Sequence, residues 1–221
     1  MRYYPIYLDI RDKPCVVIGG GDVAERKVLS LLNAGAKVTV VSPEVTDILK
    51  GISRGGRIEI KERPYKEGDL KSAFMAYAAT DNEDINYKIS EEARKRGVLL
   101  NVADEPEMCD FIVPSVVERG LLSIAISTGG ASPAFAKRLR LEMEEIYGEE
   151  YALFLETMAA IRRKLLTKEA ESVKKRKIFN KLASSSIPEM IKAGRWKDVD
   201  RTIISLLGKD FSIASLGIKK D

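Results

Sequence analysis

Between Cys15 and Ser42 a β-branched apolar run stops at three consecutive glycines, Gly19-Gly20-Gly21. A helix-period segment follows, and a second β-branched run, Lys37–Val41, completes the unit. Few folds accept that order. The helix has to cross back over a sheet so that the two strands lie parallel, and such crossovers are right-handed. A glycine-rich turn between the first strand and the helix is the arrangement that lays a dinucleotide pyrophosphate on a helix N-terminus. Gly19 permits the tight turn, Gly21 allows close backbone approach to phosphate, and Ala24 is the small residue that lets helix and strand pack. Asp22 and Val23 open the helix beside the same cradle.

The alternation continues beyond this unit. Strands are expected at Val16–Ile18, Lys37–Val41, Arg57–Glu62, Phe74–Thr80 and Val98–Val102. Helices are expected over Val23–Asn33, with Val23, Lys27/Val28, Leu31 and Leu32 on one side, and over Asp84–Arg96 with Gly97 as its stop. Strands and helices at this spacing predict a doubly wound parallel sheet, an α/β Rossmann-like domain over residues 1–113. Val113–Val117 and Leu121–Ser127, separated by Glu118-Arg-Gly120, break the pattern and predict a small added sheet. Ser132-Pro133 is a helix start that runs to about Tyr147. From Glu149 onward the pattern is helical: Tyr151–Leu166, Lys168–Ala183, then pieces around Ile187–Ala193 and Lys197–Leu207.

In a parallel sheet, ligands gather beyond the carboxyl ends of the strands. Those ends supply Gly19–Gly21, then Ser42, Pro43 and Glu44, then Thr80, Asp81 and Asn82, and finally Asn101 through Asp104. An acidic residue commonly binds the ribose hydroxyls at the end of the second strand. Here Glu44 can do so, which favours NAD, while Ser42 alone leaves room for a 2′-phosphate. Asp104 follows an apolar strand, and a partly buried carboxylate there can take a proton while a hydride leaves; it can equally be an ordinary loop aspartate. Ser127-Thr-Gly-Gly-Ala-Ser-Pro133 is a second glycine-rich loop before a helix. It reads either as an anion site aided by Arg138 and Arg140 or as a simple cap.

Composition removes several chemistries. The 221 residues contain no histidine, which excludes a Ser-His-Asp triad and argues against a metal site. The two cysteines, Cys15 and Cys109, lack metal-ligand spacing. No apolar run is long enough to span a bilayer and the N-terminus lacks a signal-peptide pattern, so a cytoplasmic protein is expected. The net charge of +4 hides an asymmetry. Residues 151–221 hold 16 basic and 8 acidic side chains, against 21 and 25 in residues 1–150. A basic tail is compatible with a solvated helical face, a polyanionic small molecule, or a nucleic-acid or protein partner of an NAD(H)-sensing module.

Six segments together resemble a known family. They are Pro5–Asp9, Gly19–Lys27, Ala78-Ala-Thr-Asp-Asn82, Asn101-Val-Ala-Asp-Glu-Pro106, Phe111-Ile-Val-Pro114 and Ile126-Ser-Thr-Gly-Gly-Ala-Ser-Pro133. In this order they are similar to the dehydrogenase module of sirohaem biosynthesis, over roughly residues 3–147. The resemblance implies NAD-dependent oxidation of precorrin-2 to sirohydrochlorin by a homodimer, without nucleic acid or membrane. It also implies a dimerisation region at 114–148, a helical domain at 149–221, and a catalytic role for Asp104. Ser127, Thr128, Gly129, Ser132 and Arg138 would then meet the substrate's carboxylates. Some members also insert iron into sirohydrochlorin, and that activity stays open for this chain.

Overall fold

A computed structural model describes residues 2–166 and 172–219. The chain divides into two compact units, Met1–Val113 and Pro114–Asp221. In the first unit the order is β1 (Pro14–Ile18), α1 (Asp22–Asn33), β2 (Lys37–Val41), α2 (Asp47–Arg54), β3 (Ile58–Lys61), β4 (Met75–Ala78), α3 (Glu83–Arg96) and β5 (Leu99–Val102). The strands form one parallel sheet in the order β3-β2-β1-β4-β5. The chain winds outward from β1 through β2 to β3, then returns to the other side of β1. The carboxyl ends of β1 and β4 are therefore neighbours where the winding reverses.

Strand residues alternate between two buried faces. Cys15, Val17, Val38, Val40 and Tyr77 pack with Ala24, Val28 and Leu31 of α1 and Leu49 of α2. Val16, Ile18, Val41, Ala76 and Ala78 face the other way, against Ile89 and Ala93 of α3. Burial on both faces explains why these strands read as unbroken apolar runs. Each fully buried Val or Leu contributes about 1.5–3 kcal/mol. Of the residues expected on the buried side of α1, Val23 is instead exposed and Ala24 is buried.

Beyond β5 the chain makes a short 3₁₀ turn, Pro106–Met108, and doubles back along the strand. The Asp110 N–H donates to the Leu100 carbonyl at 2.8 Å, and the Leu100 N–H donates to the Asp110 carboxylate at 2.9 Å. Asn101 Nδ2 donates to the Phe111 carbonyl at 2.9 Å.

Helix α2 has no counterpart among the expected elements, and β4 is shorter at both ends than the expected strand Phe74–Thr80. The second unit opens with an antiparallel hairpin, β6 (Ser115–Arg119) and β7 (Leu122–Ile126). Its turn is Gly120-Leu121 rather than Glu118–Gly120. Gly120 has φ 57° at the first central position, the place a type II′ turn gives to glycine. Helix α4 (Pro133–Ile146) packs on this hairpin. Helices α5 (Glu150–Leu166), α6 (Ser172–Ala183), α7 (Ile187–Lys192) and α8 (Trp196–Leu207) follow, around a core that includes Ile161, Leu182, Ile187, Val199, Ile203 and Phe211. The expected helix Lys168–Ala183 begins outside the described residues. Among the described residues, no helix is long and apolar enough to cross a membrane.

Candidate active site at the carboxyl edge of the sheet

The four expected clusters, after β1, β2, β4 and β5, all lie on the carboxyl edge of the first unit's sheet. The glycines there have three different jobs. Gly19 has φ 119°, and a Cβ on it would lie 2.1 Å from the Ala79 carbonyl oxygen of the neighbouring strand end. At Gly20 a Cβ would lie 1.9 Å from the Glu44 carbonyl oxygen, because the loop after β2 crosses over it. The Gly20 carbonyl accepts the Thr46 N–H of that loop at 3.0 Å. Around Gly21, apart from its own chain neighbours, no described atom would come within 4 Å of a Cβ. Gly19 and Gly20 thus close the turn against its own protein, while Gly21 faces open space.

Gly21 is also the N-cap of α1, and it has no side chain with which to cap it. The Glu25 N–H is taken by the Gly21 carbonyl. Among the described residues the N–H groups of Asp22, Val23 and Ala24 have no partner, an oriented set of donors at the positive end of a helix dipole. Ser42 is buried and its hydroxyl donates to the Glu44 carbonyl at 2.6 Å. Pro43 and the Glu44 side chain are exposed beside it. Thr46 caps α2 by accepting the Leu49 N–H, and its hydroxyl donates to Glu25 at 2.6 Å. This joins α1 to the loop after β2.

After β4, Thr80 Oγ1 accepts the Asn82 N–H, and Asn82 in turn caps α3 through Ile85. The Thr80 carbonyl accepts from Asn86 Nδ2 at 3.1 Å, while among the described residues the buried Oδ1 of Asn86 has no hydrogen-bond partner. Lys27 lies half-buried over the Tyr77 ring, 5.3 Å from its centroid, and Tyr77 meets Phe111 edge-on. Burial pushes the Tyr77 phenol up to about 12 and, with Arg26 nearby, lowers the Lys27 ammonium.

Asp104 is the third residue of a turn, Val102–Glu105, that follows β5 directly. Its φ of 60° is left-handed, a conformation that turns usually reserve for glycine or asparagine. It stands exposed rather than partly buried. Among the described residues, its carboxylate has no hydrogen-bond or ion-pair partner, so it is available to an external group.

The second glycine loop differs from the first. Ser127 Oγ accepts the Gly129 N–H, Thr128 Oγ1 accepts the Ser132 N–H, and Ser132 caps α4 through Phe135. Pro133 has no N–H and Ala136 donates to the Ser132 carbonyl, so among the described residues only Ala134 has an N–H without a partner in the first turn. Arg138 pairs with Glu142 and lies over Phe135, and Arg140 pairs with Glu144. The loop is largely self-satisfied, yet among the described residues its hydroxyls act only as acceptors and keep their own protons to donate.

Thr46, Asn86 and Cys109 contribute to the site and are not among the candidates expected from sequence; Gly20 is, within the Gly19–Gly21 cluster. Thr46, three residues before Leu49 at the head of an apolar-periodic stretch, was the one with a visible signal.

Residues 6–115 match a family model described as "Putative NAD(P)-binding", and residues 119–146 match one described as "Sirohaem biosynthesis protein central". The sirohaem synthase of Nitrosococcus oceani is 38% identical over 212 residues, covering 96% of this chain and 45% of that protein. The Methylobacillus flagellatus sirohaem synthase is 41% identical over 171 residues, covering 76% and 37%. The chain therefore spans less than half the length of these relatives. A solved structure titled SirC, precorrin-2 dehydrogenase, superposes with a TM-score of 0.74 at 27% identity, covering 84% of this chain and 92% of that one. With both modules in order and the sheet edge built as described, the chain belongs to the sirohaem-biosynthesis family that joins an NAD(P)-binding domain to the sirohaem central region.

Proposed function

We propose that this protein oxidises precorrin-2 to sirohydrochlorin with NAD as the acceptor. The observation that carries the reading is the pairing on one sheet edge of two features. One is a glycine turn ending in three unpaired helix N–H groups, and the other is an unpartnered carboxylate held in a left-handed turn. The residues present fit a dinucleotide. Gly21 leaves room where a phosphate would approach, and the N–H groups of Asp22, Val23 and Ala24 donate to it. Thr80 borders the cleft at the β1/β4 switch point. At the end of β2 the Ser42 hydroxyl is spent on Glu44, which leaves the exposed Glu44 carboxylate to accept from ribose hydroxyls and to repel a 2′-phosphate. NAD, when bound, supplies the hydride acceptor.

The chain's own contribution to the chemistry is the proton. Dehydrogenation removes a hydride and a proton, and the Asp104 carboxylate accepts the latter as general base. In the second unit, the hydroxyls of Ser127, Thr128 and Ser132, the open backbone at Gly129, the Ala134 N–H and Arg138 offer donors to substrate carboxylates. The basic residues of the C-terminal helices add a long-range attraction for a polyanion. A homodimer through the region 114–148, with the helical domain at 149–221, completes the proposal. The closeness to SirC, precorrin-2 dehydrogenase, supports it.

The test is an anaerobic assay of the purified chain with precorrin-2. Sirohydrochlorin should form with equimolar NADH, and faster with NAD than with NADP. Absence of turnover with either dinucleotide overturns the reading, and Fe²⁺ added afterwards reports on iron insertion in the same cuvette.

A further inference from the structure

Cys109 belongs to the segment that doubles back along β5, five residues beyond Asp104. Its sulfur faces the turn that carries Asp104. Sγ accepts the Val102 N–H at 3.2 Å and lies 3.5 Å from Asn101 Nδ2. It also lies 3.3 Å from both the Val102 and Glu105 carbonyl oxygens, so its one proton is shared between them. Val102 and Glu105 are the first and last residues of the turn. The backbone bond that closes the turn, Glu105 N–H to Val102 carbonyl, is 3.5 Å long. The thiol is thus the second tie across a turn whose own hydrogen bond is weak. Inside that turn Asp104 holds a left-handed backbone, which persists only where the surroundings determine it. Desolvation raises the thiol above its ordinary range, so at neutral pH it carries the proton that it donates.

We propose that Cys109 is a positioning residue for the reaction: its thiol spans the Val102–Glu105 turn and fixes the direction in which Asp104 presents its carboxylate. The proposal rests on the reading of Asp104 as the general base. Cys109 touches neither substrate nor cofactor in this role. Its effect is confined to the placement of one carboxylate, and misplacing a catalytic group by about 1 Å costs about 100-fold in rate.

The experiment compares Cys109→Val with Cys109→Ser. Valine fills the space without hydrogen bonds, whereas serine keeps a donor and an acceptor. Steady-state kinetics with precorrin-2 and NAD are measured alongside direct titration of NAD, which reports whether each variant is folded. Cys109→Val should lose about 10- to 100-fold in kcat, with KM and the Kd for NAD within twofold of wild type. Cys109→Ser should recover most of kcat. On an Asp104→Asn background, Cys109→Val should cause no further loss, because the residue acts through Asp104. A Cys109→Val variant with wild-type kcat overturns the proposal while leaving the Asp104 reading intact, as does an equal loss on both backgrounds. If Asp104→Asn itself turns over normally, the reading and the proposal fall together.

Discussion

Alanine substitutions at Gly19, Gly20 and Gly21 should separate fold from ligand binding within three consecutive residues. At Gly19 the substitution faces two costs. A φ of 119° costs a residue with a Cβ about 1–3 kcal/mol. The 2.1 Å approach to the Ala79 carbonyl forces backbone movement worth about 1–3 kcal/mol more. Gly20→Ala has no left-handed penalty but meets the Glu44 carbonyl at 1.9 Å, so it should cost about 1–3 kcal/mol. Gly21 has φ −84° and ψ −170°, which any residue adopts, and nothing lies within 4 Å. There, reduced unfolded-state entropy and a poorer N-cap nearly offset each other, so stability should change by less than about 0.5 kcal/mol. Its new methyl group would nevertheless occupy the space at the free end of α1. Thermal unfolding should therefore fall by roughly 10 °C for Gly19→Ala and hardly move for Gly21→Ala. Titration calorimetry should show NAD binding weakened about tenfold or more in Gly21→Ala, a loss of at least about 1.4 kcal/mol. Wild-type NAD affinity in Gly21→Ala would refute the placement of the pyrophosphate on α1. An unchanged melting point for Gly19→Ala would refute the packing argument.

Further outcomes follow from other features. Asp104→Gly should abolish turnover, a loss of about 100-fold or more, yet raise stability by about 0.5–1 kcal/mol because the left-handed strain is relieved; denaturant unfolding checks the sign. Glu44→Arg should shift the ratio of NADP to NAD affinity upward by about tenfold, read by paired titrations. Glu92 is buried, which pushes its carboxyl up, but hydrogen bonds from Tyr65, the Gly68 N–H and Arg96 outweigh burial and hold it below the ordinary carboxylate range. A lowered folded-state value means that its contribution is fully present above the unfolded-state pKa near 4.5 and is lost as pH falls below it. Urea melts from pH 7 to pH 3 should show that loss in wild type and a flatter profile in Glu92→Gln.

Much of the first unit could be read from residues alone because its signals are local. The change of period around Gly19–Gly21 marks β1, α1 and β2, and Gly97 marks the end of α3. Other features depend on partners far along the chain. Helix α2 is eight residues long with Gly51 inside it, so its apolar periodicity spans only two turns and is easily missed. Gly20 has an ordinary backbone angle, and only the crossing of Glu44 above it shows why no side chain fits. Asp104 is marked in the sequence by its place after a strand, but neither its left-handed backbone nor its exposure has a local sequence signal. At the second glycine loop, the pattern alone did not distinguish an anion cradle from a cap. The bonds made by Ser127, Thr128 and Ser132 show a loop that is mostly self-satisfied.

The segment that doubles back along β5 has a consequence for assembly as well as for Asp104. β5 is the last strand of the sheet, and its outward N–H and C=O groups at Leu100 and Val102 would be a template for another strand. All four are occupied by this chain's own residues: Asp110 takes both groups of Leu100, and Cys109 takes both groups of Val102. The sheet is thereby ended on this side by two side chains and one amide rather than by a further strand. A change that frees residues 109–111 should accordingly bare an adhesive edge at the moment it loosens the Asp104 turn. Inactivity and aggregation would then appear together in the same variants.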